Sequence, residues 1–222
     1  MNRRKKSQPG ILESSGGAGS ELLNRNYIPA PELSSHARAF QAAAKKLADA
    51  LGGDTGPASD LDIFPVVFVY RHAVELQLKG LLLGPGGKLL AARPDSLSIS
   101  KTHSVSWLGQ FVSQIVILVN WEKEFKCEGI ENLADFRMAL EGLNSVDPGG
   151  CACRLPALPA SPGLLSGSGR FDVTEFVRRI DALLALLERT AAVLAATWER
   201  EQNRLKVGGQ KDRGKDLGRM IY

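Results

Sequence analysis

The 222-residue chain has few residues of the types that build disulfide-linked or metal-bound folds. It contains only three cysteines, Cys127, Cys151 and Cys153, and the last two are separated by a single residue. Three thiols cannot form an even disulfide framework, and they lack the fourth ligand and the spacing of a structural zinc site. We therefore expect no bound metal, and this cysteine usage is typical of proteins of the reducing cytoplasm.

The chain also lacks a long apolar run that is free of charge. Its most apolar stretch, Phe64–Leu83, carries Arg71, His72, Glu75 and Lys79 through its middle. Arg or Lys near the centre of a bilayer costs about 2.5 to 3.5 kcal/mol each, so this stretch is predicted to be a helix inside a bundle and not a membrane span. The basic start MNRRKK is followed by SQPGILESSGG, which is not the apolar core of a signal peptide.

The middle of the chain has no excess of positive charge although the formal net charge is +4. Residues 1–6 carry four basic and no acidic groups, residues 199–222 carry seven basic and four acidic groups, and the part between them is net negative. Basic ends of this kind are usually solvated. We expect a disordered or loosely ordered segment over residues 1–30, a single folded body over 31–202 and a basic C-terminal tail over 203–222.

Sustained alternation of apolar and polar residues is absent, whereas helical spacing recurs, so the sequence predicts an all-α bundle of four or five helices. The predicted helices begin at Ser34 or Ser35, at Asp60 or Asp62, at Thr102 or Ser104, near Ile130 and at Asp172, and they end near residues 51, 83, 119, 143 and 202. Apolar spacing in the first helix predicts a buried face of Phe40, Ala43, Ala44, Leu47 and Leu51. Residues 94–101, PDSLSISK, and residues 144–170 are predicted to be loops.

Three short motifs together resemble HEPN-type domains. They are YRHAVELQLKGLL at residues 70–82, THSVSWL at 102–108 and LNSVDPGGCACRLP at 143–156. They are similar to an uncharacterised bacterial group of HEPN-like proteins with a Tyr-Arg-His-x-x-Glu-x-x-Leu-Lys helix. The matching positions are Tyr70, Arg71, His72, Glu75, Leu78, Lys79, Thr102, His103, Asp147, Pro148, Arg154 and Pro156. The resemblance covers residues 60–200.

The resemblance implies a helical bundle, often dimeric, that is associated with nucleotide or RNA chemistry. Many such relatives are metal-independent ribonucleases of toxin and defence systems, and they use an Arg and a His about four to six residues apart because guanidinium grips phosphate and imidazole titrates near neutrality. None of His36, His72 and His103 has an Arg five to seven positions before it. The standard ribonuclease motif is therefore absent.

We accordingly expect a cytoplasmic HEPN-like module of a bacterial defence or stress system, with no cofactor and no assigned catalytic residue. It would bind nucleotide, RNA, a protein partner or a second copy of itself. One alternative is a divergent ribonuclease that uses Arg71 or Arg154 with His72 or His103. The other is a purely structural, dimerising bundle.

The polar series in the second helix is open to two interpretations. Arg71, Glu75 and Lys79 stand four residues apart, which predicts i, i+4 ion pairs on the solvent side or crossing to the next helix. Alternatively, basic residues of the second and third helices converge on a cleft for a phosphate or nucleotide. The candidate binding residues are Arg71, His72, Glu75, Lys79, His103 and Arg154.

Overall fold

A computed structural model describes residues 30–53, 60–90, 94–146 and 172–219 of the chain, with the side chains of the last segment described up to Lys206. Residues 1–29 of the predicted N-terminal segment lie outside this description. Residues 147–170 of the predicted loop and residue 171 lie outside it as well. Cys151, Cys153 and Arg154 lie outside it as well.

The described residues form seven helices and no strand, so the predicted all-α class is confirmed. Five of the helices are longer than ten residues, which agrees with the predicted bundle of four or five. In chain order the helices are α1 (Ala30–Gly53), α2 (Asp60–Leu83), α3 (Pro85–Leu89), α4 (Ser96–Lys101), α5 (Val105–Leu118), α6 (Leu133–Val146) and α7 (Val173–Arg219).

Helix α2 is the centre of the bundle. It packs against α1, α3, α4, α5 and α7, while α6 packs on the far side of α5. A helix that is apolar around most of its circumference is stable only when it is covered on several sides, and α2 has this composition. The predicted buried line of α2 is confirmed, because none of its members is more than 3 % exposed: Val67, Tyr70, Val74, Leu78 and Leu81.

Side-chain oxygens begin α5 and α7 as the sequence predicts. The Ser104 Oγ atom accepts a hydrogen bond from the backbone N–H of Trp107, and an Asp172 carboxylate oxygen accepts one from the backbone N–H of Glu175. Each of these bonds satisfies an amide that the first helical turn leaves without an intrahelical partner. Helix α7 then continues to Arg219, past Gln202, where the predicted helix ends.

The predicted start of α1 is wrong, and its predicted buried face is correct in part: Ala44 is buried and Phe40 and Leu51 pack against the core, whereas Ala43 and Leu47 are exposed. The helix begins at Ala30, one turn before the predicted caps, and Leu47 is 42 % exposed. Its buried residues are Leu33, Ala37, Ala44 and Ala48. Alanines occur on several sides of this helix and carry little directional signal, and their small side chains allow close packing on α2.

The prediction of a loop over residues 94–101 is also wrong, because residues 96–101 form α4. An Asp95 carboxylate oxygen accepts a hydrogen bond from the backbone N–H of Ser98 at 2.9 Å and caps the helix. The side chain of Ile99 is only 1 % exposed and anchors α4 to the core. One buried residue in a polar segment is too little for a periodic pattern, which is why the helix escapes sequence analysis.

Glycines permit the tight junction between α2 and α3. A Cβ atom on Gly87 would overlap the carbonyl oxygen of Leu82, and one on Gly86 would lie 2.7 Å from the Cδ1 atom of Leu194. Backbone cannot move aside as a flexible side chain can, so the close return of α3 onto the end of α2 requires glycine at residue 87.

We expect Gly87→Ala to lower the free energy of unfolding by about 1 to 3 kcal/mol, which is typical of overpacking in a filled interior. Urea unfolding of the purified variants measures this. Gly142→Ala is the matched control, because a Cβ atom at this helical position meets nothing within 4 Å. The control should be more stable than the wild type by about 0.5 to 1 kcal/mol, and equal effects at the two positions would contradict the assigned packing.

Candidate binding site at a buried ion-pair ladder

Three charged side chains of α2 form a buried ladder. The Arg71 Nη1 atom lies 3.2 Å from the Glu75 Oε2 atom, and the Lys79 Nζ atom lies 2.8 Å from the Glu75 Oε1 atom. Arg71 and Glu75 are each 2 % exposed and Lys79 is 7 % exposed. The predicted i, i+4 pairs are therefore present, but they lie inside the protein and not on its solvent face. We call Arg71, Glu75, Lys79 and His103 the Glu75 ladder.

The ladder fastens the link between α4 and α5 to α2. The Arg71 Nη2 atom donates a hydrogen bond to the backbone carbonyl of His103 at 2.5 Å, and the Lys79 Nζ atom donates one to the carbonyl of Ser100 at 2.9 Å. Carbonyls in the last turn of a helix have no intrahelical donor, so Lys79 satisfies a group that α4 leaves open. Arg71 and Lys79 thus connect α2 to the next segment of the chain, which is one of the two positions that the ion-pair interpretation allows.

The carboxylate of Glu75 remains ionised in this buried position. Burial is the largest single influence and by itself would raise the pKa of Glu75, but the hydrogen bond and charge of Lys79, together with His103, outweigh it and hold the pKa below its usual value. A buried carboxylate persists only when paired and hydrogen-bonded. Both Glu75 oxygens meet this requirement.

His103 connects the buried ladder to solvent. Its Nδ1 atom lies 3.0 Å from the Glu75 Oε1 atom, while 49 % of its side-chain surface is exposed. Because an ionised carboxylate can only accept, the Nδ1 atom carries the hydrogen and donates it to Glu75. The Nε2 atom is then left for a partner from outside the ladder.

An open groove lies between α4 and the first turn of α5, and its lining includes both chain neighbours of His103 but not His103 itself. It encloses about 560 Å³, which is within the range of small-molecule sites. Thr102 and Ser104 line it on either side of His103 in the chain, and the exposed Lys101 and the partly buried Trp107 supply a positive charge and an aromatic ring. The complete lining is Leu97, Ser98, Lys101, Thr102, Ser104 and Trp107. We call this the α4–α5 groove.

The structure gives His72 a different environment from the ladder. Its ring makes an edge contact with the ring of Phe40, with centroids 4.5 Å apart, and lies parallel to the ring of Phe68 at 6.4 Å. Burial is the main cause that lowers the pKa of His72. Four of the six candidate residues thus come together in the ladder, His72 packs against aromatic rings, and Arg154 lies outside the described residues.

Sequence analysis overlooked the acceptors and the groove. The carbonyls of Ser100 and His103 have no signature in the sequence, because every residue has one. Lys101 lies in the segment that the sequence predicts to be a loop, and Trp107 lies in the predicted third helix, where a single aromatic residue does not indicate a groove. The Asp95 and Ser98 pair, at the spacing of a helix cap, is the signal that would have placed Lys101 at a helix end beside the groove.

Two kinds of feature are absent from the described residues. In residues 30–53, 60–90, 94–146 and 172–219, no group of three or more His, Cys, Asp or Glu side chains is arranged to hold a metal ion. Among the helices of the same segments, none has the length and apolarity needed to cross a membrane.

Comparison of the chain with protein-family models, with curated proteins and with solved structures gives no match in any of the three. The similarity to HEPN-type domains therefore rests on the residues quoted above.

We expect Glu75→Gln to lower the free energy of unfolding by about 3 to 5 kcal/mol, because it leaves Arg71 and Lys79 as buried cations without their carboxylate. Urea unfolding at neutral pH measures the loss. Glu175→Gln is the matched control, since Glu175 also pairs with two basic residues of its own helix but its side chain is 36 % exposed. Its effect should stay below about 1 kcal/mol, and a similar loss in both variants would show that the buried ladder adds nothing special.

The contribution of Glu75 should also depend on pH. Its pKa is depressed in the folded protein, so its stabilising effect is complete above the ordinary glutamate pKa of about 4.3 and is lost as the pH falls from there through the folded value. Below about pH 4.3, the unfolding free energy of the wild type should therefore fall more steeply than that of Glu75→Gln. Urea unfolding across the acid range tests this, and parallel pH curves would contradict the depressed pKa.

Proposed function

We propose that the protein is a HEPN-like helical module that binds RNA or nucleotides in the α4–α5 groove and does not cut RNA by the Arg and His motif of HEPN ribonucleases. The observation that carries this proposal is the lining of the groove, where the exposed Lys101 and the ring of Trp107 lie together with hydroxyl groups. His103 lies between two lining residues in the chain, and the buried Glu75 holds its half-exposed ring. An imidazole held in this way is preorganised to meet a ligand.

The groove offers the groups that nucleotide recognition uses. Lys101 is exposed and supplies a positive charge for a phosphate. Trp107 presents an indole ring on which a base can stack, and the hydroxyl groups of Ser98 and Thr102 can bond to a sugar or phosphate. A stacking ring, a cation and hydroxyl groups in one groove suit a nucleotide better than a purely apolar or a purely anionic ligand.

The burial of Arg71 favours binding over cleavage. A ribonuclease that used Arg71 on the scissile phosphate would need its guanidinium group at the surface, but the residue is 2 % exposed and bonds to Glu75 and to the His103 carbonyl. Together with Tyr70 and Leu78, which are fully buried, Arg71 makes the Tyr70 to Lys79 motif a feature that holds the fold together.

The remaining expectations stay predictions from the resemblance. They are a second copy or a protein as partner, a cytoplasmic location and a role in a bacterial defence or stress system.

Binding of a short, fluorescently labelled single-stranded RNA, followed by anisotropy at two salt concentrations, tests the proposal. Trp107→Leu should weaken binding by about tenfold, because stacking of one base contributes roughly 1 to 3 kcal/mol. Lys101→Gln should weaken it and also reduce the slope of log affinity against log salt by about 0.7, the value for one phosphate contact on a single strand.

Lys123→Gln, at another exposed lysine, is the matched control and should bind like the wild type. Equal affinities in all variants would remove the groove from the proposal. Gel analysis of the same samples should show intact RNA, and cleavage that His103→Gln abolishes would establish the ribonuclease alternative instead.

A further inference from the structure

The α4–α5 groove has a single positive charge in its lining. Among the described residues that line it, Lys101 is the one Lys or Arg side chain, and none is Asp or Glu. The hydroxyl group of Ser98 donates a hydrogen bond to an Asp95 carboxylate oxygen at 2.6 Å, so an exposed negative charge lies next to the wall that α4 forms. The groove thus has a partner for one phosphate group, and a second phosphate on the α4 side would be repelled by a carboxylate.

The wall that α5 forms offers no further cation. Residues 102–121 contain no Asp, Glu, Lys or Arg, and this range includes the whole of α5. The exposed or partly exposed residues that follow Trp107 on this helix are all neutral: Gln110, Phe111, Gln114, Ile117 and Leu118. Proteins hold a strand of RNA chiefly through cations that neutralise its phosphates. A strand that left the groove along α5 would find no such contact on the rest of the helix.

One nucleotide, in contrast, finds a partner for each of its parts in the groove. The ring of Trp107 is available for the base, and an edge contact with the ring of Phe111, at a centroid distance of 4.8 Å, holds it in place. Lys101 is available for the phosphate. The Thr102 Oγ1 atom accepts from the backbone N–H of Ser104 and can still donate its own hydrogen to a ligand. The volume of about 560 Å³ is that of a site for a single small molecule.

We propose that the α4–α5 groove is a site for a single nucleotide, with the base on Trp107 and the phosphate at Lys101, and that it is not part of a longer track for RNA. The inference rests on the proposed function and specifies its ligand class, which is a nucleoside monophosphate or one unpaired nucleotide of an RNA. The uncharged face of α5 limits the ligand to one nucleotide, because it gives the next phosphate no partner.

Isothermal titration calorimetry of the full chain tests the proposal with adenosine 5′-monophosphate, adenosine, ribose 5-phosphate and a short RNA of adenylates. The monophosphate should bind about tenfold more tightly than adenosine, which has no charge for Lys101, and about tenfold more tightly than ribose 5-phosphate, which has no base for Trp107. The RNA is titrated in competition with the monophosphate, so that only RNA that displaces a ligand from the groove is counted.

Per nucleotide, the RNA should bind within about threefold of the monophosphate, and the slope of its log affinity against log salt should be about 0.7, the value for one phosphate contact. Two variants assign the parts of the ligand. Trp107→Leu should remove most of the advantage of the monophosphate over ribose 5-phosphate and retain its advantage over adenosine. Lys101→Gln should have the opposite pattern.

A lysine added to α5 tests whether its uncharged face limits the ligand. Gln114 is exposed and lies two turns beyond Trp107 on the same side of the helix. Gln114→Lys should give the RNA a second phosphate contact and raise its salt slope from about 0.7 to about 1.4, whereas the affinity for the monophosphate should stay unchanged. Leu205→Lys adds the same charge at an exposed position of α7 and is the matched control, which should change neither quantity.

The outcomes distinguish this inference from the proposed function. A slope of about 1.4 or more for RNA on the wild type would show two or more phosphate contacts, and it would overturn the inference and leave the proposed function standing. An unchanged slope in Gln114→Lys would overturn the inference too, because the face of α5 would then not be the limit. Binding of the monophosphate that neither Trp107→Leu nor Lys101→Gln weakens, or no binding of any probe, would remove both.

Discussion

The buried carboxylate of Glu75 is the group on which the arrangement of this bundle's centre depends. It accepts from side chains one turn before and one turn after it on α2 and from a ring on the α4–α5 link. Arg71 also donates a hydrogen bond to the backbone carbonyl of His103 in that link, and Lys79 donates one to the carbonyl of Ser100 in the last turn of α4. A buried charge with fewer partners would greatly destabilise the fold. A buried charge with this many partners defines a single orientation for the segment that it holds.

This arrangement changes the meaning of the polar residues in the most apolar helix. On the sequence alone they are compatible with an ion-paired solvent face, which is the commoner case, and with a ligand site. In the structure Arg71, Glu75 and Lys79 are buried, and they contact one another and the backbone of α4 and of the segment before α5. The short helix α4, with Ile99 as its anchor, is thus the element that converts a surface ion-pair series into an internal one.

The parts of the fold that could be predicted are those where the pattern is strong and local. The buried line of α2 and the caps at Ser104 and Asp172 follow from residue spacing and from side chains that act on nearby amides. The face of α1 could be predicted only in part, because alanine is tolerated both inside and outside. Helix α4 could not be predicted from periodicity, because its single buried residue has no partner in the pattern.

The candidate site was predictable only as a set of charges. Spacing predicts that Arg71, Glu75 and Lys79 meet, and this holds because one helical turn brings such positions together. It cannot predict that they are buried, since burial depends on which distant segment lies over them. Nor can it identify the carbonyl acceptors, because a backbone carbonyl occurs at every position and only the folded chain selects the ones at Ser100 and His103.

Because the Glu75 ladder is buried, it both holds α4 and the following segment on α2 and orients the ring of His103. A surface ion pair is screened by salt, and its long side chains lose rotamer freedom for little gain, so it would hold a neighbouring ring only loosely. Inside the protein the same pair is already ordered by its packing, and the ring of His103 is oriented at little further entropic cost. The orientation of the half-exposed His103 ring is therefore set by a carboxylate that is itself almost completely buried, and a change at Glu75 would alter that orientation without any change at the protein surface.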